Sequence, residues 1–288
     1  MRPLLVPGAH VLRRRDGSFQ VGLDPRGAIV LPDTPAVASC LARLDGSKVR
    51  PADEAPAAVL AQAGLIVDER AVVPLLAGGD AGPVTARAAS LLRRHGTRAP
   101  DVVAARSRRS IGVVEFGHPS GAGLLERLRG LLDEALLTCS SDEPAVGLLV
   151  GLGEPDRELV DGWMRERVPH LLVRLAEGRA TVGPFVVPGA TACLRCVDAH
   201  HTDADPTWPL LVRQYAEACR GPRRDGIPEP LDPLLATVAA GWAARDLATY
   251  VDGGRPSTWS TTLTLDADLT AVETRTWSRH PDCGCSWQ

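Results

Sequence analysis

Two short cysteine-bearing stretches, far apart in the chain, constrain this sequence more than anything else in it. TACLRCVDAHH (191–201) sets Cys193 and Cys196 two residues apart, and HPDCGC (280–285) sets Cys283 and Cys285 either side of a glycine. Zinc takes four ligands in a tetrahedron with Zn–S near 2.3 Å, and two thiolates separated by two residues can share one ion because the turn between them folds back. Gly284 offers the second pair a sharp turn that aims both sulfurs inward. The four thiolates predict one closed site that draws the end of the chain back onto the region around residue 193. With every position filled by protein there is no room for a reactive water, so the zinc is expected to be structural. His200, His201 and His280 stand as substitute ligands. A single CxxC also suits redox chemistry, but that role favours a helix start directly after a strand, whereas VVPGATACLRC puts a proline–glycine loop before the pair.

Metal binding requires reduced thiols, and the rest of the chain agrees with a reducing compartment. Residues 1–20 lack the basic, apolar, small-residue order of a signal peptide, and no apolar run approaches the ~18–20 residues of a membrane span. A cytoplasmic protein with no membrane association is expected. Cys219 is read as inert because no Cys–His–acid grouping surrounds it, and Cys40 and Cys139 as core filler. The net charge of −3 gives no global attraction for nucleic acid. Lys48 is the only lysine, so arginine carries nearly all the positive charge, and runs such as Arg13–Arg15 are read as solvated faces.

At 288 residues the chain is long enough for two units. HVLRRRDGSFQVGL contains a hairpin signal at Asp16-Gly17, and AIVL (28–31) supplies a third short strand. Thr34 or Asp33 caps a helix that closes at Gly46; a second helix stops at Gly64 before the apolar run 65–67. Three strands with two or three helices outline a small winged-helix unit over residues 1–75. Residues 76–104 are read as linker and connecting helix, with Leu75–Pro83 rich in glycine and proline. From 105 to 288, strands alternate with helices, which argues for a mainly parallel sheet covered on both faces.

VVEFGHPSGAG has the outline of a strand running into a glycine-rich turn and helix, as in nucleotide sites. Its glycines at 117, 121 and 123 do not satisfy G-x-G-x-x-G, and Pro119 removes a donor where donors are wanted. Phosphoryl and adenylyl transfer rely on fixed cations. No lysine follows Lys48, so a lysine-assisted site in this part of the chain is excluded, and Arg127 and Arg129 read as exposed helix residues.

TVGPFVVPGATACLRCVDAHHTDADPTWPLL (181–211), LDPLLATVAAGWAARDLATYVDGG and the terminal WSRHPDCGC together resemble the ThiF-like partner proteins of YcaO cyclodehydratases, across roughly residues 105–288. That family is similar to adenylyltransferases such as ThiF and MoeB, retaining the α/β fold and zinc clamp without the ATP chemistry. The resemblance implies an N-terminal winged-helix peptide-recognition module followed by a degenerate ThiF/MoeB-like, Rossmann-type α/β domain with a structural zinc site. It implies a subunit with no reaction of its own, which binds the leader of a ribosomally made precursor peptide and serves a YcaO-type, ATP-dependent partner that forms azolines in bacteriocin-like products. By the same resemblance the leader adds as a strand beside Val30 and Leu31, against the helix carrying Val59 and Leu60, and the protein is a homodimer. Two other classes stay open: an ATP-dependent adenylyltransferase, and a winged-helix DNA-binding regulator with Arg13–Arg15 on phosphates.

Overall fold

The computed structural model describes residues 2–48, 50–76, 83–117, 122–140, 142–227 and 229–287. The chain divides into two compact units, Met1–Ala104 and Ala105–Gln288. Among the described residues, no helix is long and apolar enough to cross a membrane.

The first unit opens with β1 (Pro3–Leu5), followed by β2 (Val11–Arg13), β3 (Phe19–Val21) and β4 (Ile29–Leu31). β2, β3 and β4 form an antiparallel sheet in that order. The turn between β2 and β3 is made by the Asp16 carboxylate, which accepts from the Ser18 N–H at 3.0 Å, and by Gly17 at φ +85°. Next come α1 (Pro35–Leu41) and α2 (Glu54–Gln62). The Thr34 hydroxyl caps α1 by accepting from Val37 N, and Gly64, at φ +67°, follows the end of α2. β5 (Ile66–Asp68) pairs with β1 rather than with the three-stranded sheet. Phe19, Val21, Leu31, Val37, Cys40 and Leu60 share one apolar core with Leu65 and Val67.

α3 (Glu69–Leu76), α4 (Pro83–His95) and α5 (Ala99–Ser107) follow, the division between the units falling in α5. Within the expected linker and connecting helix 76–104, residues 83–104 group with the first unit, where Leu91, Leu92, Ala99 and Val102 pack with Val72 and Leu75. Most of the expected linker 75–83 lies outside the described residues.

The second unit carries β6 (Ser110–Phe116), α6 (Ala122–Glu134), β7 (Thr138–Cys139), β8 (Val146–Leu152), α7 (Asp161–Arg165), β9 (His170–Ala176) and β10 (Arg179–Val186). α8 (Leu194–Ala204), α9 (Trp208–Ala218), α10 (Pro233–Val251), β11 (Thr261–Leu265) and β12 (Val272–Thr276) complete it. All seven strands join one sheet in the order β12-β11-β10-β9-β8-β6-β7. β7, β6, β8 and β9 run parallel, whereas β10, β11 and β12 are antiparallel to their neighbours, so the sheet is mixed and not mainly parallel. The cause lies at Glu177-Gly178. Both residues take positive φ, 53° and 73°, the two-residue turn that folds β10 back antiparallel on β9.

Helices cover both faces. Leu124, Leu128 and Leu132 of α6 and the alanine-rich face of α10 (Ala236, Ala239, Ala240, Ala243) pack with Leu148, Val150, Leu171 and Val173 on one side. Val160, Trp163 and Leu194 pack with Phe116, Leu149 and Leu172 on the other. β8 is buried at every position, as a central strand in such a layer must be. Arg106 is itself buried and clasps Asp252 with two bonds of 2.8 and 2.7 Å, a planar fork on a planar carboxylate. Cys40 is buried as expected; Cys139 is exposed, on β7, a two-residue strand at the edge of the sheet.

Candidate metal centre

Cys193 is the N-cap residue of α8, in extended backbone, and Cys196 follows in the first turn. The loop before them is fixed by Thr191, whose hydroxyl accepts from Val187 N at 2.7 Å. Ser260 then ties three segments together. Its hydroxyl accepts from Ala192 N at 2.9 Å and donates to the Trp277 carbonyl at 2.8 Å, while its own carbonyl takes the Trp277 N–H at 2.7 Å. The tail beyond Trp277 is therefore delivered beside α8. There Arg279 donates to the carbonyls of Gly189 and Cys285 at 2.9 and 3.1 Å.

The four predicted sulfurs converge. Cys193 Sγ lies 3.7 Å from both Cys196 and Cys283, and Cys196 Sγ lies 3.3 Å from Cys285. A disulfide would bring two sulfurs to about 2.05 Å. A tetrahedral zinc with bonds of about 2.3 Å sets its sulfurs about 3.8 Å apart, close to the two 3.7 Å separations and about half an ångström wider than the third. Cys193, Cys196 and Cys283 are buried and Cys285 is half-buried. The same sulfurs compete for protons. Cys193 is held protonated by its hydrogen bond to Cys196 and by burial, Cys285 is pushed up to about 11 by burial, and the Cys193 thiol holds Cys196 down to about 4. A soft, thiolate-rich pocket of this size suits a divalent ion such as zinc, with no protein position left open for catalysis.

Gly284 makes no left-handed turn; it starts a short 3-10 turn, Gly284–Trp287, so its φ is not what brings the two sulfurs together. Nor do the substitute ligands enter the sulfur cluster. His280 Nε2 meets Asp203 at 3.0 Å, His200 Nε2 donates to the Ser278 carbonyl at 3.0 Å, and His201 stacks on Trp208 at 4.3 Å.

A charged cluster at the carboxyl end of β8 was not anticipated from the sequence. Arg157 clasps Asp198 of α8 with bonds of 2.6 and 2.8 Å and meets Glu154 at 2.6 Å, while Glu154 also takes Arg174. Trp208 Nε1 donates to Asp198 at 3.0 Å. Burial opposes the charge on Arg157, but Asp198 and Glu154 outweigh it and its pKa rises. A cleft of about 540 Å³ opens beside this cluster, between the sheet and α8 and α9, with His201 and Trp277 on its walls. Only the GEPDR spacing, with Glu154 and Arg157 three apart just after a buried strand, hinted at it.

Gly117, in the stretch whose glycines fail the nucleotide-loop pattern, and Gly151 of β8 have a packing explanation. A Cβ on Gly117 would sit 2.2 Å from the Leu152 carbonyl oxygen, and one on Gly151 would sit 2.1 Å from that of Phe116. The ends of β6 and β8 approach so closely that neither position tolerates a side chain. Pro119 and Gly121 lie outside the described residues.

Of the four residues named for a peptide groove, Val30 and Val59 are on the surface, 52% and 43% exposed, whereas Leu31 and Leu60 are core, at 6% and 0%. Val30 and Leu31 point to opposite faces of β4, and Val59 and Leu60 lie about 100° apart around α2, so each pair is divided between surface and core.

No family model and no curated protein matches the sequence. Solved structures do match. The heterocyclase TruD superposes with a TM-score of 0.72 at 17% identity, covering 99% of this chain and 42% of that one. E. coli MccB with selenomethionine MccA gives 0.64 at 11% identity over the whole of both chains. E. coli MccB with ATP gives 0.62 at 12% identity, over 99% of this chain and all of that one. The fold is theirs. The chain spans about two fifths of the TruD heterocyclase and the full length of MccB, and its mixed α/β fold is similar to that of MccB.

Proposed function

We propose that this protein is a non-catalytic adapter. Its N-terminal unit, a winged-helix-type module, holds the leader of a ribosomally made precursor peptide, and its zinc-braced second unit docks a YcaO-type, ATP-dependent cyclodehydratase that forms azolines. Its effect would be to raise the effective concentration of the core peptide at the partner's site. The homodimer expected from the fold relatives belongs to the same reading.

The open edge of β4 carries the proposal. Among the described residues β4 pairs only with β3, so its outer N–H and C=O groups are available to an added strand, with Val30 exposed beside them. The shared fold supports it: TruD is a heterocyclase, and MccB has been solved with MccA bound. The charges of the second unit support it too, since Arg157 and Arg174, which meet Glu154 just after β8, are taken up by Glu154 and Asp198. Two of the three arginines named for DNA phosphates have partners in the chain, Arg13 with Asp33 at 2.7 Å and Arg14 with Gln20 at 2.8 Å, which favours the adapter over a DNA-binding reading.

The full-length match to MccB, solved with ATP, favours adenylyl transfer as the second reading. Two measurements separate them. The full chain should bind a labelled precursor peptide encoded beside it, saturably in a fluorescence titration, and should not exchange pyrophosphate into ATP. Exchange by the purified chain, or no binding by any such peptide, discards the adapter.

A further inference from the structure

A second cavity lies at the end of the seven-stranded sheet away from the Glu154 cluster, where β6, β8 and β9 begin. Its volume is about 660 Å³, within the range of small-molecule sites, and Arg109, Val146, Pro169, Tyr250, Arg255 and Trp259 line it. No carboxylate is among its lining residues. The acid adjacent in sequence, Asp252, has both oxygens on Arg106. In a chain of net charge −3, two cations thus face one cavity with no acid in its wall.

The donors there are largely unspent. Arg109 gives one bond to the Val251 carbonyl, at 2.8 Å. Arg255 lies over the Trp259 ring at 5.4 Å and has no ion pair or hydrogen bond among the described residues. The Tyr250 hydroxyl likewise has no hydrogen-bond partner there. Burial raises its pKa, so it keeps its proton, while the positive charge of Arg109 acts on it in the opposite sense. The two aromatic walls are held in place by the fully buried Phe185, which lies 4.8 Å from Tyr250 and stacks on Trp259 at 6.4 Å with the planes 4° apart.

We propose that this cavity binds a flat organic anion, a planar ring bearing a carboxylate or a phosphate. The aromatic walls match a flat apolar body, and the free guanidinium forks match the paired oxygens of either anion. The site is independent of the peptide edge and of the zinc.

Three probes test it on the full, zinc-loaded chain by calorimetry: 2-naphthoate, 2-naphthyl phosphate and the neutral 2-naphthamide. One or both anions should bind saturably at one site, at least about tenfold more tightly than the amide, and the tighter of the two identifies the anion class. Arg255→Ala, which removes no hydrogen bond or ion pair among the described residues, should weaken that binding by about tenfold while leaving zinc content unchanged and melting temperature within about 1–2 °C; Arg109→Ala should add to the loss. Equal binding of the amide, indifference to Arg255→Ala, or no saturable binding of either anion at millimolar concentration would overturn the assignment.

Discussion

The Thr258 hydroxyl donates to the buried Asp246 carboxylate at 2.5 Å, and three more groups converge on the same acid. The backbone N–H groups of Ser257 and Thr258 each donate at 2.9 Å, and the Ser257 hydroxyl at 3.0 Å. Asp246 sits in the second half of α10 with 2% exposure, so these donors, not water, satisfy its oxygens. They also fix the loop that leads into Ser260, and Ser260 positions both segments of the metal centre.

Asp246→Ala should therefore destabilise the fold well beyond the loss of one surface charge. Buried donors left without an acceptor cost about 1–3 kcal/mol each, and partial relaxation brings the expected total to roughly 3 kcal/mol. For a unit of this size that is a fall in melting temperature of about 6–12 °C. Asp246→Asn keeps the shape and part of the accepting capacity and should lose less. Thermal denaturation of the two variants beside the parent protein measures the difference.

At the metal centre, Cys193→Ser and Cys283→Ser should each lose zinc and lower the melting temperature. One ligand comes from each of the two distant stretches, so the outcome tests the convergence itself. Elemental analysis should find about one zinc per parent chain and far less in either variant, and a strong chelator should destabilise the parent more than the variants. Full zinc in both variants would contradict the ligand set.

Much of this architecture is legible in the sequence where the signal is local. Asp16-Gly17 marks the first hairpin, Thr34 the start of α1, and the two cysteine pairs the metal cluster, because in each case a few adjacent residues carry the geometry. Thr261–Leu265 alternates strictly in burial, but its partner Val272–Thr276 is exposed at all five positions and has no hydrophobic period to read. β1 and β5 pair across most of the first unit, and Arg157 finds Asp198 41 residues away. Neither partnership is encoded in spacing; both depend on the sheet and helices having already assembled. Glu177-Gly178 was readable, and it folds β10 back antiparallel on β9.

Stability should depend on pH through His170. The ring is 1% exposed, packs against Trp163 at 5.6 Å, bonds the Val168 carbonyl through Nδ1 at 3.0 Å, and has no partner for Nε2. Burial lowers its pKa from 6.5 to about 4. The unfolded chain therefore takes up the proton first as pH falls. Stability is complete above about pH 6.5 and drops between there and pH 4, by about 3 kcal/mol in all. His170→Leu should flatten that part of the stability–pH curve, measured by urea denaturation at several pH values, while leaving the region above pH 7 with a similar slope.

Peptide capture should respond to the two surface valines and not to their buried neighbours in the same way. An added strand on β4 takes most of its affinity from backbone hydrogen bonds, and its selectivity from side chains near Val30 and Val59. Val30→Glu and Val59→Glu place a charge on surface already in water, so the fold should keep its melting temperature within about 1–2 °C while leader affinity falls by about tenfold. Leu60→Ala instead empties a fully buried site and should cost about 2–5 kcal/mol of stability, weakening the peptide only through unfolding. Titrating the labelled precursor into each full-length variant, with melting curves run in parallel, separates the two effects. Unchanged affinity in both valine variants would move the leader to another surface, such as the outer edge of β2, where Val11 is 39% exposed.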